Sequence, residues 1–364
     1  MIKNLLQQLT KHLDAFLIGC LFFTCVVGLF VLYSASGQSV ARVGSQCINI
    51  AAAFGVMWVA ANIPPQHLER IALPLYILGL VMLIGVMLFG QISHGARRWL
   101  NLGVARVQPS ELMKIAVPML LAWYFAKREA GLRLADYAIG ALLLVVPVGL
   151  IMKQPDLGTA LLICASGFYV LFFAGLSWKI LIGAVVSLSC MAPILWSMLH
   201  DYQRKRIQIL FDPYQDPLGA GYHTIQASIA LGSGGVAGKG WLNGTQAQLD
   251  FLPERTTDFI FAVFGEEFGL VGNLLLLTMF TLLIIRGLII AERAQNTFCR
   301  LLAASITLTF FTYVFVNIGM VSGILPVVGV PLPMISYGGT SLVTILLGFG
   351  ILMSIDTHKK LVAT

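Results

Sequence analysis

The chain has 364 residues, 58% of them hydrophobic and only 11% charged, and a formal net charge of +7. Soluble domains carry about 25% charged residues, so this composition, with a mean hydropathy of +0.87, excludes a large soluble domain and points to a polytopic membrane protein. The six cysteines lie in or at the edges of apolar stretches, with no CxxC or His-paired spacing, which argues against a disulfide framework and a zinc site.

Ten apolar stretches are long enough to cross a bilayer, a distance of about 20 residues in helix. They run at about 14–34, 45–63, 71–91, 108–126, 135–152, 157–175, 178–199, 268–290, 298–322 and 337–356. Backbone polar groups must be satisfied inside lipid, which leaves helices or a closed barrel, and these runs are continuous rather than alternating in segments of about ten residues. The expected fold is therefore all-α: about ten transmembrane helices forming one integral membrane domain over 1–364, with one large loop, about 200–257, between spans seven and eight. The first span is too long for a signal-peptide core and is expected to stay as a helix.

Lys and Arg in the short loops set the orientation. With the N-terminus inside, the inner side carries twelve, from Lys3 and Lys11 to Lys359 and Lys360, and the outer side six: Arg42, Arg97, Arg98, Arg106, Lys114 and Lys153. Both termini are thus expected in the cytoplasm, with the large loop outside.

In chain order, the first polar cluster on that outer side is His94-Gly-Ala-Arg-Arg-Trp99. Arg97 and Arg98 beside a Trp read either as an interfacial anchor or as a clamp on an anionic head group, since Arg binds phosphate bidentately. Gln108-Pro-Ser-Glu-Leu-Met-Lys114 opens span four. Pro109 suits a first helical turn, and Glu111 and Lys114, three apart, share a face. They either neutralise each other or position a substrate. Lys153-Gln-Pro-Asp156 is a tight turn in which Asp156 reads as a helix cap or as a site residue.

The 200–257 segment is too long for a plain connection, and its regularly spaced aromatic and aliphatic residues argue against disorder. Tyr222–Leu231 reads as a short amphipathic helix with Ile225, Ile229 and Leu231 on or near one face, suited to an interface. The Gly232–Gly240 cluster is not a phosphate loop: Ser233 replaces the first Gly, and Gly240 stands where Ser or Thr must bind magnesium. Gly232-x-Gly234-x-x-Ala237 matches a loose dinucleotide fingerprint without a βαβ unit around it, and flexible turn chemistry accounts for the cluster better.

Residues 251–269 carry the sharpest signal. Asp258 sits where the polar loop ends and an apolar run begins, with Glu254 and Arg255 before it and Glu266 and Glu267 after it. A carboxylate at the edge of a hydrocarbon layer is costly unless paired, hydrated or used. Thr257-Asp258 reads as an N-cap or, with Asp258 partly desolvated and its pKa raised, as a general base. Like charge from Glu266, on the nearer face, is expected to raise that pKa further. Finally, Leu325–Thr340 contains Pro326, Pro331, Pro333, Gly329, Gly338 and Gly339 and cannot continue a helix. Irregular backbone at membrane depth lines a cavity or is buried in protein. Ser336, Tyr337, Gly338 and Gly339 offer hydroxyls and backbone N–H groups at a helix start, an anion or sugar site.

Taken in this order and spacing, Gln108–Lys114, Gln154–Thr159, Gly232–Trp241, Phe251–Gly269 and Pro331–Gly339 resemble the SEDS family (shape, elongation, division and sporulation proteins) along nearly the whole chain. Gly244–Arg255 is worded more like the elongation branch than the division branch. The resemblance implies a peptidoglycan glycosyltransferase of the bacterial cytoplasmic (inner) membrane. It would polymerise lipid II on the outer face, alongside a class B penicillin-binding protein and other membrane proteins of the elongation complex, with no nucleic-acid partner. It maps the family's essential Asp onto Asp258, its Glu and Lys pair onto Glu111 and Lys114, and its turn Asp onto Asp156. Thr256 is a departure, since members often carry His there. In the mechanism this implies, Asp258 takes a proton from an acceptor hydroxyl. The anomeric centre inverts, and Arg97, Arg98, Lys114, Lys153 and Arg255 face the departing undecaprenyl pyrophosphate, with Glu254 and Thr257 in support. No metal cage and no tightly bound cofactor are expected; a divalent cation, magnesium or manganese, would be shared with substrate phosphates. Two rival classes are a lipid-precursor flippase and a non-catalytic scaffold. The flippase needs polar residues across the whole membrane, whereas the inner halves here are nearly pure Leu, Ile, Val and Phe; the scaffold makes Asp258 dispensable.

Overall fold

The computed structural model describes residues 11–93, 96–101, 106–198, 201–217, 219, 221–249, 251–252 and 254–358. Before the large loop come α1 (Ala15–Ala35), α2 (Val40–Ala61), α3 (Pro65–Phe89), α4 (Pro109–Ala126), α5 (Leu134–Met152), α6 (Leu157–Phe173) and α7 (Trp178–Met198). The loop holds α8 (Asp201–Phe211), α9 (Tyr222–Ser233) and α10 (Thr245–Gln248), and α11 (Ile260–Glu292), α12 (Thr297–Val321) and α13 (Thr340–Thr357) follow it. Each expected span coincides with one of these helices. Among the described residues α1, α2, α3, α5, α11, α12 and α13 are long and apolar enough to cross a membrane by length and composition, while α6 and residues 178–193 are apolar but shorter. The protein is an all-α polytopic membrane protein.

Local chemistry sets the helix ends. Asp14 caps α1 by accepting from the Phe16 N–H at 2.9 Å, Asn296 caps α12 by accepting from the Cys299 N–H at 2.7 Å, and Pro109 occupies the first position of α4. The apolar window of α12 is 72% buried, against 22% for α2 and α5, so α12 is the central post of the bundle. It packs on α11, α6 and α4, while α13 lies along α2.

At one end of the bundle the first and last of these helices are locked together. Arg286 of α11 reaches Asp14 at 2.6 Å and Asp356 at 3.2 Å, and the His12 ring stacks on His358 with centroids 4.0 Å apart. The start of α11, the start of α13 and the 254–259 turn lie at the opposite end.

Three features depart from the expectation. A small antiparallel sheet, β1 (Gln91–Ser93), β2 (Ala96–Asn101) and β3 (Arg106–Val107), joins α3 to α4 in spatial order β1-β2-β3. Ala-Arg-Arg-Trp-Leu-Asn has no period-two alternation to announce it. In α9 the buried residues are Thr224, Ala227 and Ala230, not the face of Ile225, Ile229 and Leu231, and Ile229 is exposed. Small side chains let α9 approach its neighbours α11 and α12 closely, as helix contacts at membrane depth favour.

The third departure is at the eighth span, whose helix starts at Ile260 rather than near residue 268 and breaks at Gly269 (φ 64°, ψ −161°). Only glycine tolerates that backbone region readily. The break strands helical N–H and C=O groups, and the Gly232–Gly240 loop takes them up. Leu270 and Val271 N–H donate to the Gly235 and Val236 carbonyls at 3.0 and 3.1 Å, and the Lys239 and Gly240 N–H groups donate to the Glu266 and Glu267 carbonyls, both at 3.0 Å. The approach is backbone to backbone: a Cβ on Gly238 would lie 2.1 Å from the Glu267 oxygen. The glycine cluster is thus a fitted splint for a broken helix, not flexible turn chemistry.

Candidate active site

The site end of the bundle holds a polar chamber of about 250 Å³. Arg98 from β2, Glu111 and Lys114 from α4, Asp156 at the start of α6, Thr257 and Asp258 from the 254–259 turn, and Ser336, Tyr337 and Gly338 from the α12–α13 loop all line it. Five elements distant in sequence thereby bring together most of the residues singled out above. Gly339 lies just outside, in an adjoining groove. Lys153 and Glu254 are exposed, and neither they nor Arg255 line the chamber. The Arg255 guanidinium instead lies near Gly37, at the α1–α2 turn. The side chain of Arg97 lies outside the described residues.

Each charge in the chamber has a defined setting. Lys114, 5% exposed, donates to Glu111 at 2.6 Å and lies over the Tyr313 ring at 5.1 Å. The second Glu111 oxygen is buried without a partner. Asp156 is both the cap and the site residue that the sequence left as alternatives. One oxygen accepts from the Thr159 N–H at 3.2 Å and the other faces Arg98 at 3.7 Å and Gln108 at 3.5 Å. Arg98 also donates to the Pro155 carbonyl at 2.8 Å, which ties the small sheet to this turn.

Asp258 sits against Gly329, whose φ of +72° is left-handed; a side chain there would begin 3.3 Å from the Asp258 Oδ2. Burial pushes the Asp258 carboxyl up to about 6; Glu254 nearby adds to the rise and Arg98 opposes it. The rise matches expectation, but its charged cause does not. Glu266 and Glu267, fully buried, face away into the splint. Glu266 accepts from Lys239 at 2.7 Å, from the Thr245 N–H and hydroxyl at 2.9 Å each and from the Gln246 N–H at 3.2 Å, and Glu267 accepts from the Ser34 hydroxyl. The docking of the 234–246 loop, invisible in a helical projection, gives Glu266 its partners there, and Asp258 itself lies in the turn before the helix that carries both glutamates.

The α12–α13 loop also plays a part the sequence did not suggest. The Ser336 hydroxyl donates to the Thr257 carbonyl at 2.6 Å and the Tyr337 N–H to the Thr256 carbonyl at 2.8 Å, so both hold the Asp258 turn. Missed altogether was Asn317, fully buried in α12. An amide alone in the apolar run 298–322 was the available signal, since polar side chains inside spans are rarely idle.

From the chamber a mostly apolar groove of about 580 Å³ runs along α2, α3, α4 and α13, lined by residues such as Ile71, Leu75, Ile115, Val343 and Leu347. Gln108, Glu111 and Thr340 belong to both cavities, so the polar chamber and the groove adjoin across a shared wall. That arrangement suits a molecule with a charged head and a long hydrocarbon tail.

Residues 14–361 match the model of the cell cycle protein family that takes in FtsW, RodA and SpoVE. The chain belongs to that family. It is 53% identical to the peptidoglycan glycosyltransferase MrdB of Escherichia coli (strain K12), over 97% of this chain and 95% of that one. It is 34% identical to a probable peptidoglycan glycosyltransferase FtsW of Geobacter metallireducens, over 98% and 97%. Among solved structures, a chain from a study of a peptidoglycan synthase complex that coordinates polymerization and crosslinking superposes with a TM-score of 0.83 at 32% identity, covering 94% of this chain and 97% of that one. The rod shape determining protein RodA of Thermus thermophilus superposes with a TM-score of 0.70 at 28% identity, covering 94% and 96%. The all-α membrane fold of this family is therefore the fold of this chain.

Proposed function

We infer that this protein is a peptidoglycan glycosyltransferase of the elongation type that joins lipid II units into β-1,4-linked glycan strands. The observation that carries the reading is the juxtaposition of the chamber with the groove: a carboxyl raised to about 6 faces a cation-lined cavity that shares residues with an apolar slot. Lipid II has that shape, a sugar and pyrophosphate head on an undecaprenyl tail.

In the reaction, Asp258 takes the proton from the 4-hydroxyl of the acceptor GlcNAc. The freed oxygen attacks the anomeric carbon of the donor MurNAc, and the bond from that carbon to the pyrophosphate breaks, its electron pair leaving with undecaprenyl pyrophosphate. Attack opposite the leaving group inverts the α-linked donor to a β linkage. A base whose pKa lies just below the working pH is mostly ionised yet still basic enough to accept the proton. Lys114 and Arg98 supply positive charge near the developing pyrophosphate. Among the described residues no group of three His, Cys, Asp or Glu is placed to hold a metal. A magnesium or manganese ion would therefore be shared with the substrate phosphates, with the free Glu111 oxygen as the protein's contribution, and no step above is routed through it.

The basic residues of the short loops favour the end with His12 and His358 in the cytoplasm, which puts the chamber on the extracytoplasmic side of the inner membrane. The partner in this reading is a class B penicillin-binding protein that crosslinks the new strands, within a complex of other elongation membrane proteins.

The test is polymerisation of purified lipid II by the full-length protein with its crosslinking partner, comparing wild type with Asp258→Asn. Glycan strands from wild type alone are expected. Strands from both at equal rate overturn the role of Asp258, and intact lipid II with neither overturns the activity in favour of a flippase or scaffold.

A further inference from the structure

Three successive carbonyls of the Asp258 turn are held from one side. Thr256 accepts from the Tyr337 N–H at 2.8 Å, Thr257 from the Ser336 hydroxyl at 2.6 Å, and Asp258 from the Asn317 amide at 2.8 Å. The first two donors belong to the α12–α13 loop. The third comes from inside α12, a largely buried span, and is 0% exposed.

The same Asn317 nitrogen donates to the Val330 carbonyl at 2.6 Å. Val330 follows Gly329, the residue whose missing side chain leaves room for the Asp258 carboxylate. One amide therefore fixes both the backbone that carries Asp258 and the wall its carboxylate rests on. Both neighbours are acceptors, so the group facing them must be the NH2, and no carboxylate could replace it. The other end of the amide, Oδ1, is buried without a partner. An unpaired buried acceptor is costly, a cost the packing of α12 alone does not require.

We propose that Asn317 is a positioning residue for glycosyl transfer, setting the orientation of Asp258 relative to Gly329 and the chamber. The inference rests on Asp258 being the general base. With its carbonyl tethered, the Asp258 side chain projects into the chamber; released, the turn is free to rotate the carboxylate toward the exposed Glu254 side and water. Misplacement of a reacting group by about 1 Å costs up to about 100-fold in rate.

The experiment measures lipid II polymerisation and its pH dependence for the full-length protein with its crosslinking partner, in wild type, Asn317→Ala, Asn317→Ser and Asp258→Asn. The expected result for Asn317→Ala is kcat lower by about 10- to 100-fold, KM for lipid II nearly unchanged, and an acid limb of kcat displaced to lower pH as water reaches Asp258. Asn317→Ser keeps one donor and is expected to recover part of the rate; should the Ala variant not fold, the Ser variant is read in its place. A folded variant with wild-type kcat overturns the proposal, as does a loss confined to KM or stability with the acid limb unmoved. Asp258→Asn at wild-type rate removes the base and this inference with it. Inactive Asp258→Asn beside a wild-type Asn317 variant removes only the positioning role.

Discussion

Replacing Lys239 by Met tests whether the splint over the α11 break is an energetic element or only a contact. Glu266 is 0% exposed, and Lys239, 28% exposed, is the one cation bonded to it among the described residues. Removing one partner of a buried pair costs about 3–5 kcal/mol, because the remaining charge stays desolvated. Two features lower that figure here. The Thr245 N–H and hydroxyl and the Gln246 N–H still solvate the carboxylate, and the partial exposure of Lys239 already screens the pair. The expected loss is therefore at the low end, about 3 kcal/mol. Removing both charges in Lys239→Met/Glu266→Gln should return at least half of it, since no buried charge is then left alone. Denaturant unfolding in detergent, followed by tryptophan fluorescence, reads both. A single variant within about 0.5 kcal/mol of wild type, the range of a surface pair, refutes the reasoning, as does a double variant less stable than the single.

The proposed base role of Asp258 requires its carboxylate form, so activity should fall as pH drops through about 6. Glu254→Gln removes a like charge and should move that acid limb to lower pH, whereas Arg98→Gln removes an opposing one and should move it higher; kcat against pH checks both signs. A raised carboxyl pKa also weighs on folding. The folded protein holds the proton more tightly than the unfolded chain, so this stability contribution is present below about 4 and lost as pH rises to about 6. Asp258→Asn should therefore be more stable than wild type at neutral pH, by up to about 3 kcal/mol for a shift of about two units, while being inactive; equal or lower stability in denaturant titrations contradicts this. Gly329→Ala puts a Cβ 3.3 Å from the Asp258 Oδ2 on a left-handed backbone, and should cut kcat far more than lipid II affinity in the polymerisation assay.

The spans were legible because each buries an unbroken apolar run, and the caps because Asp14, Pro109 and Asp156 are cheap local solutions to stranded backbone groups. The gathering of Asp258, Glu111, Lys114 and Asp156 was anticipated through family motifs; helical spacing reaches no further than the Glu111–Lys114 pair. What escaped depends on contacts between segments far apart in the chain. Glu266 and Glu267 were read at helical spacing from Asp258, yet Asp258 lies in the turn before Ile260, where the helix begins, and the two glutamates bond the 239–246 segment and Ser34 instead. The glycine cluster carried too little side chain to show its partner, because its partner is backbone. Ser336 and Tyr337 were read as ligand groups, but the Ser336 hydroxyl and the Tyr337 N–H are spent on the carbonyls of the Asp258 turn; the Tyr337 hydroxyl is not, and Tyr337 lines the chamber.

The clasp between Arg286, Asp14 and Asp356 has a consequence for how the molecule is made. During insertion Arg286 enters the membrane with Asp14 already in place, but its second carboxylate belongs to α13, which is synthesised seventy residues later. The same α13 supplies Thr340 and Ser341 to the chamber. A nascent chain halted before this span thus lacks both its closing ion pair and one wall of the polar chamber. The ion pair and the chamber are therefore completed by the same helix, and neither can close before that helix is inserted.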